Sequence, residues 1–156
     1  MKNQSVRPPD QVENAIREYS VILFRICFVL LCNKYDAEEA IQETFIRYMQ
    51  KSPEFSDSEH EKAWLISVAS NLCKDMLRFR KRHSNVALED TILPCSKDEN
   101  NEVLKLIMTL PEKYKTVILL HYVHGYKTDE IAKILKASQN TIKKRLERGR
   151  NLLKLI

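Results

Sequence analysis

Apolar residues recur at three- and four-residue intervals along most of the chain, and no stretch alternates with the two-residue period of a half-buried strand. Val12, Ile16, Tyr19, Leu23, Ile26 and Leu30 keep this spacing and predict a first helix. In DAEEAIQETFIRYMQ, Ala40, Ile41, Phe45 and Met49 are expected to bury while Glu39, Gln42, Glu43 and Arg47 face out, with Asp36 expected as the N-cap. After a polar loop holding Pro53 and Phe55, EKAWLISVASNLCKDMLRFRKR predicts a third helix. At about 100° per residue, Leu65, Val68, Ala69, Leu72, Met76 and Phe79 form its apolar stripe, while Asn71, Lys74, Arg78, Lys81 and Arg82 lie opposite. Trp64 lies at the border of that stripe and is expected in the core.

The final segment, TDEIAKILKASQNTIKKRLERGRNLLKLI, reads as a helix-turn-helix. Thr128 is expected to cap a short helix with Asp129 and Glu130 in its first turn, and Ile131, Ala132 and Leu135 form its apolar face. Lys136-Ala137 makes the turn, Ser138 caps the second helix, and Ile142, Leu146 and Leu153 turn inward. Gln139, Asn140, Lys143, Lys144, Glu147 and Arg148 are left facing outward, and these are side chains that bond base edges and phosphates.

Between the last two groups of helices, HSNVALEDTILPCSKDENN lacks a helical period, contains Pro94 and is rich in Ser, Asn and Asp. The pattern predicts an all-α fold of two small helical domains, residues 10–82 and 102–156, joined by a flexible linker over 83–101. Charge sharpens this picture. The chain carries +5 overall, and seven Lys or Arg against the single acid Glu147 between Lys136 and Lys154 make that segment a polyanion binder. Upstream, Asp36 to Glu61 holds eight acids against Arg47 and Lys51, and Lys74 to Arg82 holds five bases against Asp75. Surfaces of both signs point to more than one partner. The basic face of the third helix, with Phe55 nearby, suits an unwound strand whose phosphates need neutralising and whose bases need stacking; Phe55 as a plug at the domain edge fits the sequence equally well.

The longest apolar run, Val21 to Cys32, is broken by Arg25 and is shorter than the ~20 residues of a membrane span. The polar opening from Met1 to Asp10 does not resemble a cleavable signal, so a cytoplasmic protein without membrane insertion is expected. Cys27, Cys32, Cys73 and Cys95 form no C-x-x-C pair and are expected as reduced thiols.

Three segments carry a family resemblance. DAEEAIQETFIRYMQ resembles the D-A-E-D-hydrophobic-x-Q-E-x-F signature of bacterial extracytoplasmic-function sigma factors of the sigma-70 family. AWLISVASNLCKDMLRFRKR is similar to their A-W-L-x-x-I-A-x-N-x-x-x-D-x-x-R segment, and the run from LPEKYKTVILL through the helix-turn-helix to their L-P-x-x-x-R-x-V module. The resemblance covers nearly the whole chain after about residue 10. It implies an initiation subunit of bacterial RNA polymerase whose two domains are regions two and four, with promoter DNA and core polymerase as partners, an anti-sigma factor as a further partner, and no cofactor.

By position, the resemblance assigns Asp36, Glu39, Gln42, Glu43 and Phe45 to docking on the clamp helices of the largest polymerase subunit. It assigns Phe55, Asn71, Lys74, Arg78, Lys81 and Arg82 to melting and capture of the minus-ten element. Ser138, Gln139, Asn140, Lys143, Lys144, Glu147 and Arg148 match the helix that recognises the minus-thirty-five element, and the acidic stretch from Glu89 to Glu102 matches the segment threading toward the polymerase active-site channel. Three positions depart from the family pattern. Lys136 replaces the Gly of the turn, at about 1 kcal/mol if the left-handed turn forms. Gly149 replaces Ala and is expected to loosen the recognition helix, and Lys113-Tyr114-Lys115 lacks the usual Arg.

Two other classes fit less well. A dimeric repressor or activator needs a ligand pocket or a heptad seam, and residues 10–82 show neither pattern. A metalloenzyme would need a third ligand beside His121 and His124, whose neighbours Tyr122 and Val123 read as core; the only glycines, Gly125 and Gly149, form no phosphate loop.

Overall fold

The computed structural model describes residues 6–83 and 101–154, and the expected linker and Cys95 lie outside them apart from His83 and Asn101. Among the described residues the chain is built from helices α1 (Pro9–Leu31), α2 (Lys34–Lys51), α3 (Ser58–Arg82), α4 (Asn101–Met108), α5 (Glu112–Ile118), α6 (Thr128–Leu135) and α7 (Gln139–Leu153), with a π-helical turn over Leu119–Val123 that continues α5. Proline at the start of α1 fits because the first helical N–H groups have no intrahelical acceptor. Helix α2 starts earlier than expected. Asn33, not Asp36, is its N-cap, accepting from the Asp36 N–H at 3.0 Å. The Asp36 carboxylate is instead bonded to Arg80 of α3, whose guanidinium also donates to the Leu31 carbonyl at 2.9 Å. This arginine ties the end of α1 and the start of α2 to α3. Helix α3 is capped by Asp57, which accepts from the His60 N–H at 2.7 Å.

Helix α1 is the spine. Ile26 through Leu31 are all buried, where a one-sided stripe was expected, because α2, α3, α4 and α5 all pack on α1. A helix that is apolar all round must be covered all round. The earlier turns have fewer neighbours, and Ile16, expected inward, is 41% exposed. The seam between the two halves is held by Lys115 at the position of the missing arginine. Its side chain is 8% exposed, and its ammonium donates to the Val29 carbonyl at 2.7 Å and lies 3.7 Å from Cys32 Sγ. The last turn of a helix offers unpaired carbonyls and the negative end of the dipole, which is where a cation is stabilised. Lys62 of α3 adds a second tie, 4.9 Å from the centre of the Tyr126 ring. Cys27, Cys32 and Cys73 are free thiols. The hydrogen bond with Cys73, followed by burial, pushes the Cys27 thiol above its ordinary range.

In the C-terminal half, α6 is capped by Lys127, whose N–H donates to Glu130 at 3.0 Å, rather than by Thr128. Thr128 is used by the next helix: its hydroxyl accepts from Gln139 at 3.0 Å. Lys136 adopts the left-handed conformation expected of the turn, with φ 55°. Tyr122, expected in the core, is exposed and accepts from Arg150 at 3.0 Å. Gly149 does not loosen α7. A Cβ there would stand 2.8 Å from Ile118 Cγ1, so the missing side chain is what lets α7 lie close on α5. Ile118 is fully buried and stiff at χ1, which leaves it little room to move. Gly149→Ala should therefore lower thermal stability, an overpacking cost of about 1–3 kcal/mol exceeding the ~1 kcal/mol gained in helix propensity. A thermal melt decides it; a raised midpoint would restore the loosening view.

Candidate nucleic-acid interface

Helix α7 presents the expected polar face. Ile142 and Leu146 anchor its inner side, and Ser138 accepts from the Thr141 N–H at 3.1 Å. Gln139, Asn140, Lys143, Lys144, Glu147 and Arg148 are all exposed on the other side. Gln139 alone is tied down, by its bond to Thr128, so it sets the angle between α6 and α7. Ser138, as the cap, fixes where the helix begins.

On α3 the basic side is also open. Asn71, Lys74, Arg78, Lys81 and Arg82 are exposed, with Arg78 3.8 Å from Asp75. Phe79 joins them. Expected in the core stripe, it is 59% exposed and stacks on His83 at 4.1 Å between ring centres. The stripe that is buried instead runs through Leu65, Ile66, Ala69 and Cys73, rotated from the expected one by the packing of α1, α2 and α6. An exposed aromatic among cations is thus a feature that sequence reasoning misplaced. Its signal was present: Phe79 follows Arg78 and stands eight residues from Asn71, a helical spacing.

Phe55 lies at the edge of a box of aromatic rings. It is stacked 6.2 Å from Tyr48 at 6° and meets His60 and Trp64 edge-on at 5.1 and 5.8 Å. Trp64 is half-buried against the core, as expected. Arg7 closes the box from the N-terminal side: its guanidinium stands 4.8 Å from the centres of both Tyr48 and Phe55 and bonds to Ser52 and the Pro53 carbonyl. The Tyr48 hydroxyl donates to Glu61 at 2.8 Å, and burial followed by that bond pushes its pKa up to about 12. The box opens on a cavity of about 1100 Å³ whose lining includes Glu18, Glu54, Asp57 and Glu61.

Helix α2 carries the third surface. Glu39 and Gln42 are exposed, and Glu43 pairs with Arg47 at 3.3 Å. Phe45, placed by resemblance on this surface, is buried against Tyr48 and supports the helix from within. Two apolar residues to which the sequence reading gave no role are open on this helix: Tyr35 at 70% and Ile46 at 42% exposure. With Glu39 and Gln42 they are spaced by four, three and four residues, so one stripe mixes apolar and polar groups.

At the seam between the halves, His124 is held neutral. Its Nε2 is enclosed without a hydrogen-bond partner, and burial, then the charges of Arg25 and Lys62, lower its pKa from 6.5 to about 4. Once the halves part, the imidazole returns to its ordinary value and takes up a proton first as pH falls. The closed arrangement is therefore fully favoured above pH 6.5 and is weakened between 6.5 and 4. Small-angle scattering should show the chain expanding through that window and His124→Asn blunting the change; an identical pH profile in the variant would exclude His124 as the cause.

Among the described residues no helix is long and apolar enough to cross a membrane, and no three His, Cys, Asp or Glu gather as metal ligands.

Comparisons with known proteins converge on one family. The profile of Sigma-70 region 2 matches residues 15–83, and that of Sigma-70, region 4 matches residues 100–153. The chain is 29% identical over 164 residues to the ECF RNA polymerase sigma factor SigW of Bacillus subtilis, covering 93% of this chain and 88% of that one. It is 28% identical to the ECF RNA polymerase sigma factor SigE of Mycolicibacterium smegmatis, over 91% of this chain and 60% of that one. Its fold is similar to the sigma factor RpoE of Bartonella quintana, solved in complex with the anti-sigma factor NepR, with a TM-score of 0.75, 23% identity and coverage of 93% and 95%. It is also similar to CnrH in complex with the cytosolic domain of CnrY, with a TM-score of 0.70, 20% identity and coverage of 94% and 87%.

Proposed function

This chain belongs to the sigma-70 family and is an RNA polymerase sigma factor of the extracytoplasmic-function group that directs promoter-specific transcription; from that premise we propose how its surfaces divide the work. Residues 10–82 act as region two and residues 102–156 as region four, with 83–101 as the linker toward the polymerase channel. The α2 stripe of Tyr35, Glu39, Gln42 and Ile46, with Glu43 and Asp36 beside it, docks on the clamp helices of core polymerase. The α3 face, with Asn71, Lys74, Arg78, Phe79, Lys81 and Arg82, receives the non-template strand of the minus-ten element, and Phe55 stacks a base. Helix α7 enters the major groove of the minus-thirty-five element with Asn140, Lys143, Lys144, Glu147 and Arg148.

The observation that carries this reading is the open polar face of α7, backed by Ile142 and Leu146 and started by the Ser138 cap. Transcription by core polymerase on a promoter library tests it: addition of the chain should select promoters with paired upstream and minus-ten elements. For the docking face, Glu43→Lys should weaken core binding while thermal stability stays within about 0.5 kcal/mol, as for most surface changes. Equal loss of both would show that Glu43 holds the fold.

The closed arrangement bears on regulation. A compact chain of this length has a radius of gyration of about 15 Å, so it spans roughly 40 Å. Promoter elements some 25 base pairs apart are separated by roughly 85 Å of duplex. Both DNA faces cannot be used at once until the halves part. We infer an anti-sigma partner for this chain, working in the cytoplasm, that stabilises the unproductive arrangement; the similarly folded RpoE is bound by the anti-sigma factor NepR.

A further inference from the structure

Where α3 faces the C-terminal half, a groove of about 580 Å³ runs along the seam. Lys74 stands on its α3 side, and Lys113, Lys136 and Arg145 on the other, against a single carboxylate, Glu112. Among the described residues none of the four cations forms an ion pair. Like charges facing one another across a seam oppose its closure, and a concave wall focuses their field on whatever enters. The α3 wall also contains Ser70, 5% exposed, whose hydroxyl has no hydrogen-bond partner. A buried hydroxyl left without a partner is uncommon and costly. Ile134, Leu135 and Ala137 give the opposite wall an apolar strip.

We propose that this groove binds a small molecule carrying two or more phosphates and an attached ring, that is, a nucleotide of the diphosphate class. The phosphates neutralise Lys74, Lys113, Lys136 and Arg145, the Ser70 hydroxyl donates to a phosphoryl oxygen, and the ring lies on the strip of Ile134 and Leu135. The volume lies within the roughly 300–1,000 Å³ typical of small-molecule sites. Because the cations come from both halves, the ligand turns their repulsion into a bridge that holds the chain closed. Resting on the reading of α3 as the strand-capture face, a further consequence follows: the ligand covers Asn71 and Lys74, so it and the minus-ten strand exclude each other.

Calorimetry on the full chain with ADP, GDP and pyrophosphate tests the site. The diphosphate nucleotides should bind, pyrophosphate should bind at least tenfold more weakly, and scattering should show the nucleotide-bound chain resisting expansion at low pH. Lys113→Ser with Arg145→Gln, both outside the proposed DNA-reading set, should weaken binding at least tenfold. Ser70→Ala should weaken it severalfold without loss of thermal stability, since it deletes an unpaired group. Absence of binding by either nucleotide, or equal binding by the double variant, overturns the site; pyrophosphate binding as tightly as the nucleotides overturns the ring contact and with it the nucleotide assignment. Two readouts separate this from the reading of α3. Nucleotide that slows wild-type initiation but spares the double variant supports the bridge, and nucleotide that binds without slowing initiation overturns it, whereas bound nucleotide that fails to displace a single-stranded minus-ten oligonucleotide overturns the strand-capture role given to Asn71 and Lys74.

Discussion

Phe55→Ala should reduce open-complex formation by about 5- to 150-fold while leaving initial promoter binding nearly unchanged, because stacking of a base on an aromatic ring contributes about 1–3 kcal/mol. The ring is well placed for exchange. Tyr48 and Trp64 back it, and Arg7 covers it from the N-terminal side, so an incoming base replaces one cation–π contact with a stacked pair. Phe55 also packs on the edge of the core, which keeps the alternative of a plug in play on physical grounds. Two measurements separate the roles. A template with a pre-melted bubble should restore much of the variant's activity if Phe55 acts on the strand. If the variant instead melts several degrees lower and transcribes normally once folded, the ring serves packing alone. Arg7→Ala gives a control, since it uncovers the ring without removing it.

Lys144→Ala should change which upstream hexamers are used, with a loss of about 1–3 kcal/mol, or 5- to 150-fold, on promoters that supply its base contact. Lys143 and Lys144 are exposed within the first turns after the Ser138 cap, where a recognition helix meets base edges. Arg148 is one turn further on and can reach base or backbone. A lysine that touches only phosphate behaves differently: its removal weakens all promoters alike and flattens the salt dependence. Initiation measured across randomised upstream elements distinguishes the two. Unchanged preference profiles for both Lys143→Ala and Lys144→Ala would remove base reading from this face of α7.

The local half of this protein was open to reading from its amino acids alone. Helical spacing located α1, α2, α3, α6 and α7 with the Lys136-Ala137 turn between the last two, residue type gave the Ser138 cap, and the same spacing put the six polar positions of α7 outward. These features depend on residues within one or two turns of each other, so the chain's period and its turn chemistry are sufficient. Errors arose where a local competitor was overlooked. Asp36 and Thr128 are good caps by type, but Asn33 and Lys127 start those helices, and the two side chains bond instead to Arg80 and Gln139.

Which faces find partners was decided only in three dimensions. The period of α3 permits a stripe through either Phe79 or Cys73, and the contact with α1, α2 and α6 chose Cys73, leaving Phe79 among the cations. Gly149 passed from a weak point to a close contact once Ile118 stood beneath it. Lys115 reaches a carbonyl 86 residues away in sequence, and the groove with Ser70 exists only because the two halves close on each other. A sequence determines period, caps and charge because these are properties of neighbours along the chain; burial, ion-pair choice and the electrostatics of a seam depend on distances that only packing of remote segments creates.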